Sequence, residues 1–239
     1  MHKCRKRFLF FFLIFAASLG VTPDFVSAQS EIPDLSGLWD GSSRSANLVQ
    51  AMKAQGKEVP FTPYGADRFK KIDMANNPNG FCLPPGPSRA LTGPSPFQIV
   101  QNRGTVALLF ENHFIYRLIY TDGTKHPEDM QDYPAFMGHS IGRWEGDTLV
   151  VDTVGINDRT WLDSNGMEHS DKLHLTERFR KTGPDMFKYA VTYDDPVFFT
   201  RPWTFEMDFR RLKNTRLIEY VCEENERDQQ KLRPTPRAQ

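Results

Sequence analysis

Apolar and polar residues alternate with a period of two through most of the chain from residue 97 onward, and this pattern predicts β-strands. The clearest alternation lies in 203–211, where every second residue is apolar: Trp203, Phe205, Met207 and Phe209. A short strand that carries Trp39 is predicted near the start, within 32–40. The other predicted strands occupy 97–100, 105–110, 113–120, 138–144, 148–154, 173–180, 187–193 and 217–222.

Short turn sequences join consecutive predicted strands. The sequences TDG at 121–123 and EGD at 145–147 are typical of tight hairpins. Sequential hairpins favour an antiparallel meander, and a meander that closes on itself leaves no exposed sheet edge. The sequence therefore predicts a mainly β fold, an antiparallel up-and-down barrel of the lipocalin kind. A two-sheet β-sandwich is the alternative.

One helix is predicted ahead of the strands. In 63–77, apolar residues recur at roughly helical spacing, namely Ala66, Phe69, Ile72 and Met74. The sequence NNPNG at 76–80 ends that pattern. The following segment, 80–96, is rich in proline and glycine and is predicted to be an ordered loop.

The N-terminus has the three parts of a secretory signal peptide: a basic start, an apolar run over 8–17 and small residues ending at Ala28. The apolar run has about half of the roughly 20 residues that a membrane-spanning helix needs, so a membrane anchor is the less suitable alternative. We therefore predict a signal peptide over 1–28, a single β-barrel domain over 29–222 and a charged tail over 223–239. The mature protein is expected to be periplasmic or secreted, without stable membrane insertion.

Charge and composition exclude several classes of protein. The 239 residues carry 30 basic and 30 acidic side chains, and removal of 1–28 leaves 26 basic and 29 acidic ones. This small negative charge gives no attraction to nucleic acid. Aromatic residues make up 13%, which together with the balanced charge excludes a disordered chain. The expected partner is a small-molecule or carbohydrate-derived substrate.

Cleavage after Ala28 would leave two of the three cysteines, Cys82 and Cys222. In the oxidising environment of an exported protein, two cysteines predict one disulfide. Such a bond would close a loop of about 140 residues, to which the chain-entropy model assigns about 4–5 kcal/mol. Two buried free thiols are the alternative.

Long stretches of the chain resemble a family of functionally uncharacterised exported bacterial proteins. The segments that carry the resemblance are MGHSIGRWEGDTLVVDT at 137–153, NDRTWLD at 157–163, HS at 169–170, LH at 173–174 and ER at 177–178. CLPPG at 82–86, IYTDG at 119–123 and EYVCEEN at 219–225 add to it. The resemblance covers most of the mature chain. It implies a compact exported domain with a lipocalin-like barrel, and it implies no particular reaction.

Histidines and carboxylates concentrate in 121–178, and proton transfer near neutral pH commonly uses this combination. We predict four catalytic residues: His139, His174, Glu177 and Asp158. In this hypothesis the two histidines exchange protons with the substrate, and one of the carboxylates orients a histidine. The alternative is that these residues only cap turns at the surface.

Seven further residues are predicted to contact the substrate: Arg117, Tyr116, Trp144, Trp161, Asp163, His169 and Arg178. The two tryptophans are expected to wall a pocket, and the loop 157–163 to close over it. One of the arginines is expected to hold developing negative charge. For Asp163, a role in forming a turn is the alternative.

The strand 173–180 has two faces that lead to different sites. If its apolar face points into the barrel, Glu177 is an inward carboxylate that needs a partner, and Arg117 is placed to be that partner. If its polar face points inward, His174 and Arg178 line the lumen instead. Because a one-residue change of register exchanges the two faces, the sequence leaves both arrangements open.

These residues predict an exported enzyme that uses histidine and carboxylate acid–base catalysis as a lyase, isomerase or hydrolase. The alternative is a non-catalytic, lipocalin-type ligand-binding protein, with an apolar lumen built by Tyr116, Trp203, Phe205 and Phe209. No cofactor is predicted, since the sequence has neither a Walker loop nor a dinucleotide-binding GxGxxG motif. A divalent transition metal held by His139, His169 and His174 with a carboxylate is a separate hypothesis.

Overall fold

The computed structural model describes residues 32–40 and 47–222. The predictions of a signal peptide over 1–28 and a charged tail over 223–239 concern residues outside these ranges. Among the described residues, no helix is both long enough and apolar enough to cross a membrane.

Nine strands of the described chain form one closed barrel, in which each strand pairs with its neighbours in the sequence. The strands are β1 Gly37–Asp40, β2 Phe97–Asn102, β3 Thr105–Phe110, β4 Tyr116–Tyr120, β5 His139–Glu145, β6 Thr148–Val154, β7 His174–Gly183, β8 Met186–Asp194 and β9 Trp203–Arg211. Pairing of β1 with β9 closes the barrel, with Trp39 opposite Arg211. The mainly β, lipocalin-like barrel predicted from the alternation is confirmed, and the sandwich alternative is not.

The pair formed by β4 and β5 differs from the other pairs of the barrel, because its strands run parallel. The barrel is thus mostly rather than wholly antiparallel, since the connection before β5 carries the chain back along the barrel. The parallel pair is short, with Ile119 opposite Ser140 and Tyr120 opposite Ile141. Gly142 permits the close approach of the two strands, because a Cβ atom there would lie 2.8 Å from Cγ2 of Ile119.

Three short α-helices of the described chain precede β2: α1 Leu48–Ala54, α2 Pro63–Lys70 and α3 Gly86–Thr92. The predicted helix corresponds to α2, which is shorter than the range 63–77. Its first turn is capped by Thr62, whose Oγ1 accepts a hydrogen bond from the backbone N–H of Gly65 at 3.0 Å. The expected loop over 80–96 instead contains α3, since Pro87 stands in the first turn, where a helix needs no backbone N–H.

The sequence pattern did not indicate α1, which has seven residues. This helix buries only Leu48 and Met52, one turn apart. The side chain of Asn47 accepts a hydrogen bond from the backbone N–H of Gln50 at 3.0 Å, and Asp163 Oδ2 accepts one from Leu48 at 2.9 Å. Contacts made by a distant loop therefore stabilise a helix that is too short to produce a periodic signal.

Two stretches predicted as strand lie outside the sheet. Positive φ angles at His113 (63°) and Phe114 (48°) interrupt the extended backbone, so β4 begins only at Tyr116. The segment 217–222 does not pair with the barrel, and Ile218 within it is 61% exposed. The pairing of β1 with β9 already closes the barrel, so no free strand edge is left for that segment to join.

The predicted disulfide between Cys82 and Cys222 is present and joins positions separated by 140 residues. It attaches 217–222 to the segment that follows α2. Near the same point, the backbone N–H of Ile218 donates to Glu111 Oε2 at 3.0 Å. The disulfide therefore fixes the end of the described chain beside the start of β4.

Aromatic side chains fill the inside of the barrel. The ring of Phe187 has its centroid 4.5 Å from that of Trp39 and stacks on Phe209 at 4.8 Å. The indole N–H of Trp39 donates to the backbone oxygen of Leu35 at 3.0 Å, and the guanidinium of Arg211 lies 4.8 Å from the centre of the indole. The interior is therefore a packed core rather than an open lumen.

Candidate functional site

An ion pair between Arg117 of β4 and Glu177 of β7 lies inside the barrel. Strand β7 turns its apolar face inward, and Glu177 on that face is fully buried. Nη1 of Arg117 donates to Oε1 of Glu177 at 2.9 Å, and Nη2 donates to Oε2. The first of the two arrangements considered for 173–180 is therefore the one that the structure adopts.

Neighbouring hydroxyl groups satisfy the remaining hydrogen-bonding capacity of this pair. Tyr189 donates to Glu177 Oε1 at 2.8 Å, while Arg117 donates to Ser140 Oγ at 3.0 Å and to Thr153 Oγ1 at 2.6 Å. Burial opposes the charge on Arg117, but attraction to Glu177 outweighs it and raises the pKa of the guanidinium. Burial, followed by the charge of Glu177, raises the pKa of the Tyr189 phenol well above its ordinary value. These five residues, the interior cluster, form a closed network.

A groove of about 480 Å³ opens on the barrel surface where β4 and β5 meet. Its lining comes from β4, the two residues before it, the start of β5, the segment 135–138 that precedes β5, and Pro84. The lining residues are mainly apolar or aromatic: Pro84, Phe114, Ile115, Tyr116, Arg117, Leu118, Tyr120, Ala135, Phe136, Met137, Gly138, His139 and Ser140. Arg117 contributes the charged side chain of this lining, and Glu177 neutralises it from within the barrel.

His139 belongs both to the groove lining and to a chain of hydrogen-bonded side chains on the outer face of the barrel. Its Nδ1 lies 2.8 Å from Nδ1 of His126, and Nε2 of His126 lies 2.9 Å from Oδ1 of Asp152. The other carboxylate oxygen, Oδ2, lies 2.7 Å from Nε2 of His174. We call His139, His126, Asp152 and His174 the outer chain.

Strand geometry places three members of the outer chain side by side. His139 is the first residue of β5, Asp152 lies on β6 near the residue opposite it, and His174 begins β7. The tight turn into β5 needs Gly138, which has a φ of 62° and where a Cβ atom would lie 2.7 Å from the backbone oxygen of Val154. Because alternate residues of a strand face opposite sides, these three side chains all point outward.

The electrostatic surroundings give the members of the outer chain different proton affinities. Burial, and then the proximity of His126, lower the pKa of His139. The hydrogen bond to Asp152 raises the pKa of His174, and the same bond is the largest cause that lowers the pKa of the Asp152 carboxyl. Near neutral pH, Asp152 is therefore ionised and His139 is mainly neutral.

Three of the other predicted site residues lie on or near the barrel. Tyr116 is 64% exposed and lines the groove, on the outside of the barrel rather than in a lumen. Arg178 also faces outward, where Nη1 donates to Oε2 of Glu145 at 2.9 Å, so it does not line the interior. Trp144 is half-buried and packs against the core.

The other four predicted site residues lie outside the groove lining. Asp158 is an exposed turn residue, and Trp161 is buried with its ring 5.7 Å from the guanidinium of Arg89. His169 is buried, with Nε2 located 2.7 Å from Oγ1 of Thr160. Asp163 is fully buried, and besides Leu48 it accepts hydrogen bonds from backbone N–H groups of its own loop. The turn-forming alternative for Asp163 agrees with these bonds.

Sequence reasoning did not select His126 or Asp152. His126 lies in the connection between β4 and β5, where no strand periodicity indicates its direction. The available signal was Asp152, the one charged residue in the mainly apolar run LVVDTV of β6, because such a residue needs a polar partner outside the core.

Sequence reasoning also missed a GxSxG pattern, GHSIG at 138–142. In serine hydrolases of the α/β type, that pattern forms a sharp strand-to-helix turn. Here Ser140 lies within β5, is buried and bonds to Arg117 and Thr153. The pattern therefore does not form a nucleophile elbow in this protein.

No protein-family model and no curated protein matches the chain. Within residues 32–40 and 47–222, no group of three or more histidine, cysteine, aspartate or glutamate side chains is arranged to hold a metal ion. His139 and His174 lie at opposite ends of the outer chain: His174 contacts Asp152, whereas His139 contacts His126, and His169 lies elsewhere beside Thr160. The groove and the outer chain are therefore the features from which a function can be inferred.

Proposed function

We propose that the protein is an exported enzyme that catalyses acid–base chemistry on a small, uncharged organic or carbohydrate-derived molecule bound in the groove. One observation carries this proposal: His139 lines the groove and is linked through His126 to the carboxylate of Asp152. An imidazole held in this way is suited to proton transfer near neutral pH. Lyase, isomerase and hydrolase reactions all include such a step.

The groove supports an uncharged substrate. Glu177 balances the charge of Arg117, and the lowered pKa of His139 keeps that ring mainly neutral. The exposed rings of Phe114 and Tyr116 offer flat surfaces to a planar molecule or a sugar ring. In this role His139 removes or supplies the proton, and the aromatic side chains position the substrate.

Binding without turnover is the second candidate function. The apolar lining of the groove and its exposed aromatic rings favour it. A lumen built by Trp203, Phe205 and Phe209 does not, since these side chains are buried in the packed core. A carrier of this kind would hold its ligand on the barrel surface beside β4.

Proton NMR in D₂O tests the enzyme proposal on mixtures of small uncharged carbonyl compounds, esters and sugars. We expect the wild-type protein to exchange a carbon-bound proton for deuterium, or to form a product, with at least one compound. His139→Gln should reduce that rate by about 10²–10⁴-fold. Arg143→Gln is the matched control, because Arg143 lies on the same strand but is exposed and paired with Glu145.

Two results would contradict the enzyme proposal. Equal rates for wild type and His139→Gln would remove His139 from the reaction. Saturable binding of a compound, detected as line broadening that a groove variant such as Tyr116→Ala removes, with no change in that compound would instead favour the carrier.

A further inference from the structure

We propose that His126 is a proton relay: it fixes the tautomer of His139, so that Nε2 is the basic nitrogen, and it carries the positive charge after a proton is taken up. The inference deepens the proposed function of the groove and rests on it. Its basis is the pair of short contacts on opposite sides of one ring, His139 Nδ1 on one side and Asp152 Oδ1 on the other.

Hydrogen-bond directions along the outer chain follow from Asp152. An ionised carboxylate only accepts hydrogen bonds, so Nε2 of His126 carries a proton. In a neutral His126 ring, Nδ1 is then a bare acceptor, and Nδ1 of His139 must be the donor across the 2.8 Å contact. Nε2 of His139 is therefore left without a proton, which makes it the basic atom.

Proton uptake reverses the direction of the hydrogen bond between the Nδ1 atoms of His139 and His126. A substrate C–H or O–H bond breaks, its electron pair stays on the substrate, and an N–H bond forms at Nε2 of His139. The proton on Nδ1 of His139 then moves to Nδ1 of His126. His139 is again neutral and now carries its proton on Nε2, where it acts as an acid, and His126 is an imidazolium beside Asp152.

This transfer explains how a poorly solvated ring serves as a base. Burial lowers the pKa of His139, so a charge that remained on that ring would be costly. On His126 the charge lies 2.9 Å from the Asp152 carboxylate. The other groups that face the chain are the ring of Tyr120 from β4, stacked on His139, and His174 of β7, which lies opposite Asp194 of β8.

Long-range ¹H–¹⁵N NMR of the imidazole rings tests the relay without a substrate. At high pH, we expect His139 to be protonated at Nδ1 and bare at Nε2. When the pair of rings takes up a proton, two linked changes should follow: His126 becomes an imidazolium, and His139 moves its proton to Nε2. The two changes should share one midpoint, because one proton position determines both.

Two variants separate a relay from a structural contact. His126→Phe keeps a ring but provides no acceptor, so His139 should change to the Nε2-protonated form that free imidazole side chains favour. Asp152→Asn keeps the shape of the side chain, but the amide can either accept a hydrogen bond from His126 or donate one to it. Both tautomers of His139 should then be present. Arg143→Gln on β5 should leave the wild-type signals unchanged, and the backbone amide spectrum reports whether each variant is folded.

Three outcomes would overturn the relay. The first is a wild-type His139 protonated at Nε2 at high pH, and the second is an unchanged His139 tautomer in folded His126→Phe. The third is stoichiometric binding of added Zn²⁺ by both Nδ1 atoms, since a metal would replace the shared proton. If His139→Gln abolishes turnover but His126→Phe leaves the tautomer unchanged, the enzyme proposal survives and the relay fails. If the tautomers respond as expected and no compound is turned over, the relay survives and the enzyme proposal fails.

Discussion

The interior cluster and the outer chain each join a carboxylate to nitrogen-bearing side chains, but they lie in opposite surroundings. Arg117 and Glu177 are sealed inside the barrel, and neighbouring hydroxyl groups satisfy them. In the outer chain, the side chains of His126, Asp152 and His174 are 20%, 30% and 40% exposed. The outer chain is therefore open to exchange of protons with water, whereas the interior cluster is almost wholly buried, although Arg117 and Ser140 also line the groove.

This difference in solvent exposure predicts different roles for the two regions: stability for the interior cluster and proton transfer for the outer chain. In a buried ion pair whose hydrogen bonds are all made, each partner stabilises the charge of the other. Removal of one partner leaves an uncompensated charge. The partly exposed outer chain can take up a proton because His126 and His174 both lie beside the Asp152 carboxylate. Substitutions in the interior cluster should therefore act on folding, and those in the outer chain should act on turnover.

Glu177→Gln should have the largest effect, a loss of about 3–5 kcal/mol in the free energy of unfolding, because Arg117 would remain charged and buried. Denaturant unfolding followed by circular dichroism measures it. The double variant Arg117→Met with Glu177→Leu is the control, and it should regain most of the loss because no buried charge remains. A loss below about 1 kcal/mol for Glu177→Gln would mean that the pair does not stabilise the barrel.

His139→Gln should reduce turnover strongly and stability only slightly, the reverse of the effect expected for Glu177→Gln. We expect turnover to fall by about 10²–10⁴-fold, equivalent to about 3–5 kcal/mol of activation free energy. The free energy of unfolding should change by less than about 1 kcal/mol, since this side chain is only half-buried. Kinetics and denaturant unfolding of the same preparation test both halves. A variant that unfolds as readily as Glu177→Gln would erase the distinction between the two regions.

Tyr189→Phe should have an intermediate effect. It removes the hydroxyl that donates to Glu177 Oε1 and leaves the buried ring in place. Hydrogen bonds to charged groups contribute about 1.5–3 kcal/mol, and we expect a loss of that size with unchanged turnover. A shift of the thermal unfolding midpoint measures it. Reduced turnover at unchanged stability would show that the interior cluster takes part in the chemistry.

His174→Gln should give the smallest effect, and one that depends on pH. The pKa of His174 is raised by Asp152, so its contribution is fully present below the pKa of the unfolded chain and is lost as the pH rises through the folded value. Because the side chain is 40% exposed, solvent screening should limit the contribution to about 0.5 kcal/mol. Unfolding of wild type and variant at about pH 5 and about pH 9 compares the two conditions on either side of the ordinary histidine pKa. A larger difference at high pH would contradict this sign.

Much of the barrel could be predicted because strand alternation is a local signal. The short helix α1 and the parallel pairing of β4 with β5 could not, since both depend on contacts between distant parts of the chain. The pair of Arg117 and Glu177 could be predicted, because each residue interrupts the apolar face of its own strand. His126 was not, because the direction of a side chain in an irregular connection has no period from which to infer it.

The short pairing of β4 with β5 makes this join one of the two shortest in the described barrel, together with the join of β1 and β9. Hydrogen bonds along β7 and β8 run the length of both strands, whereas Ile119 and Tyr120 alone join β4 to β5. Local separation costs least where the fewest ladder bonds break, so amide hydrogen exchange should be faster at these two joins than along β7 and β8. Because the groove lies at the join of β4 and β5, we expect such local opening to widen the groove beside His139 while the longer ladders stay paired.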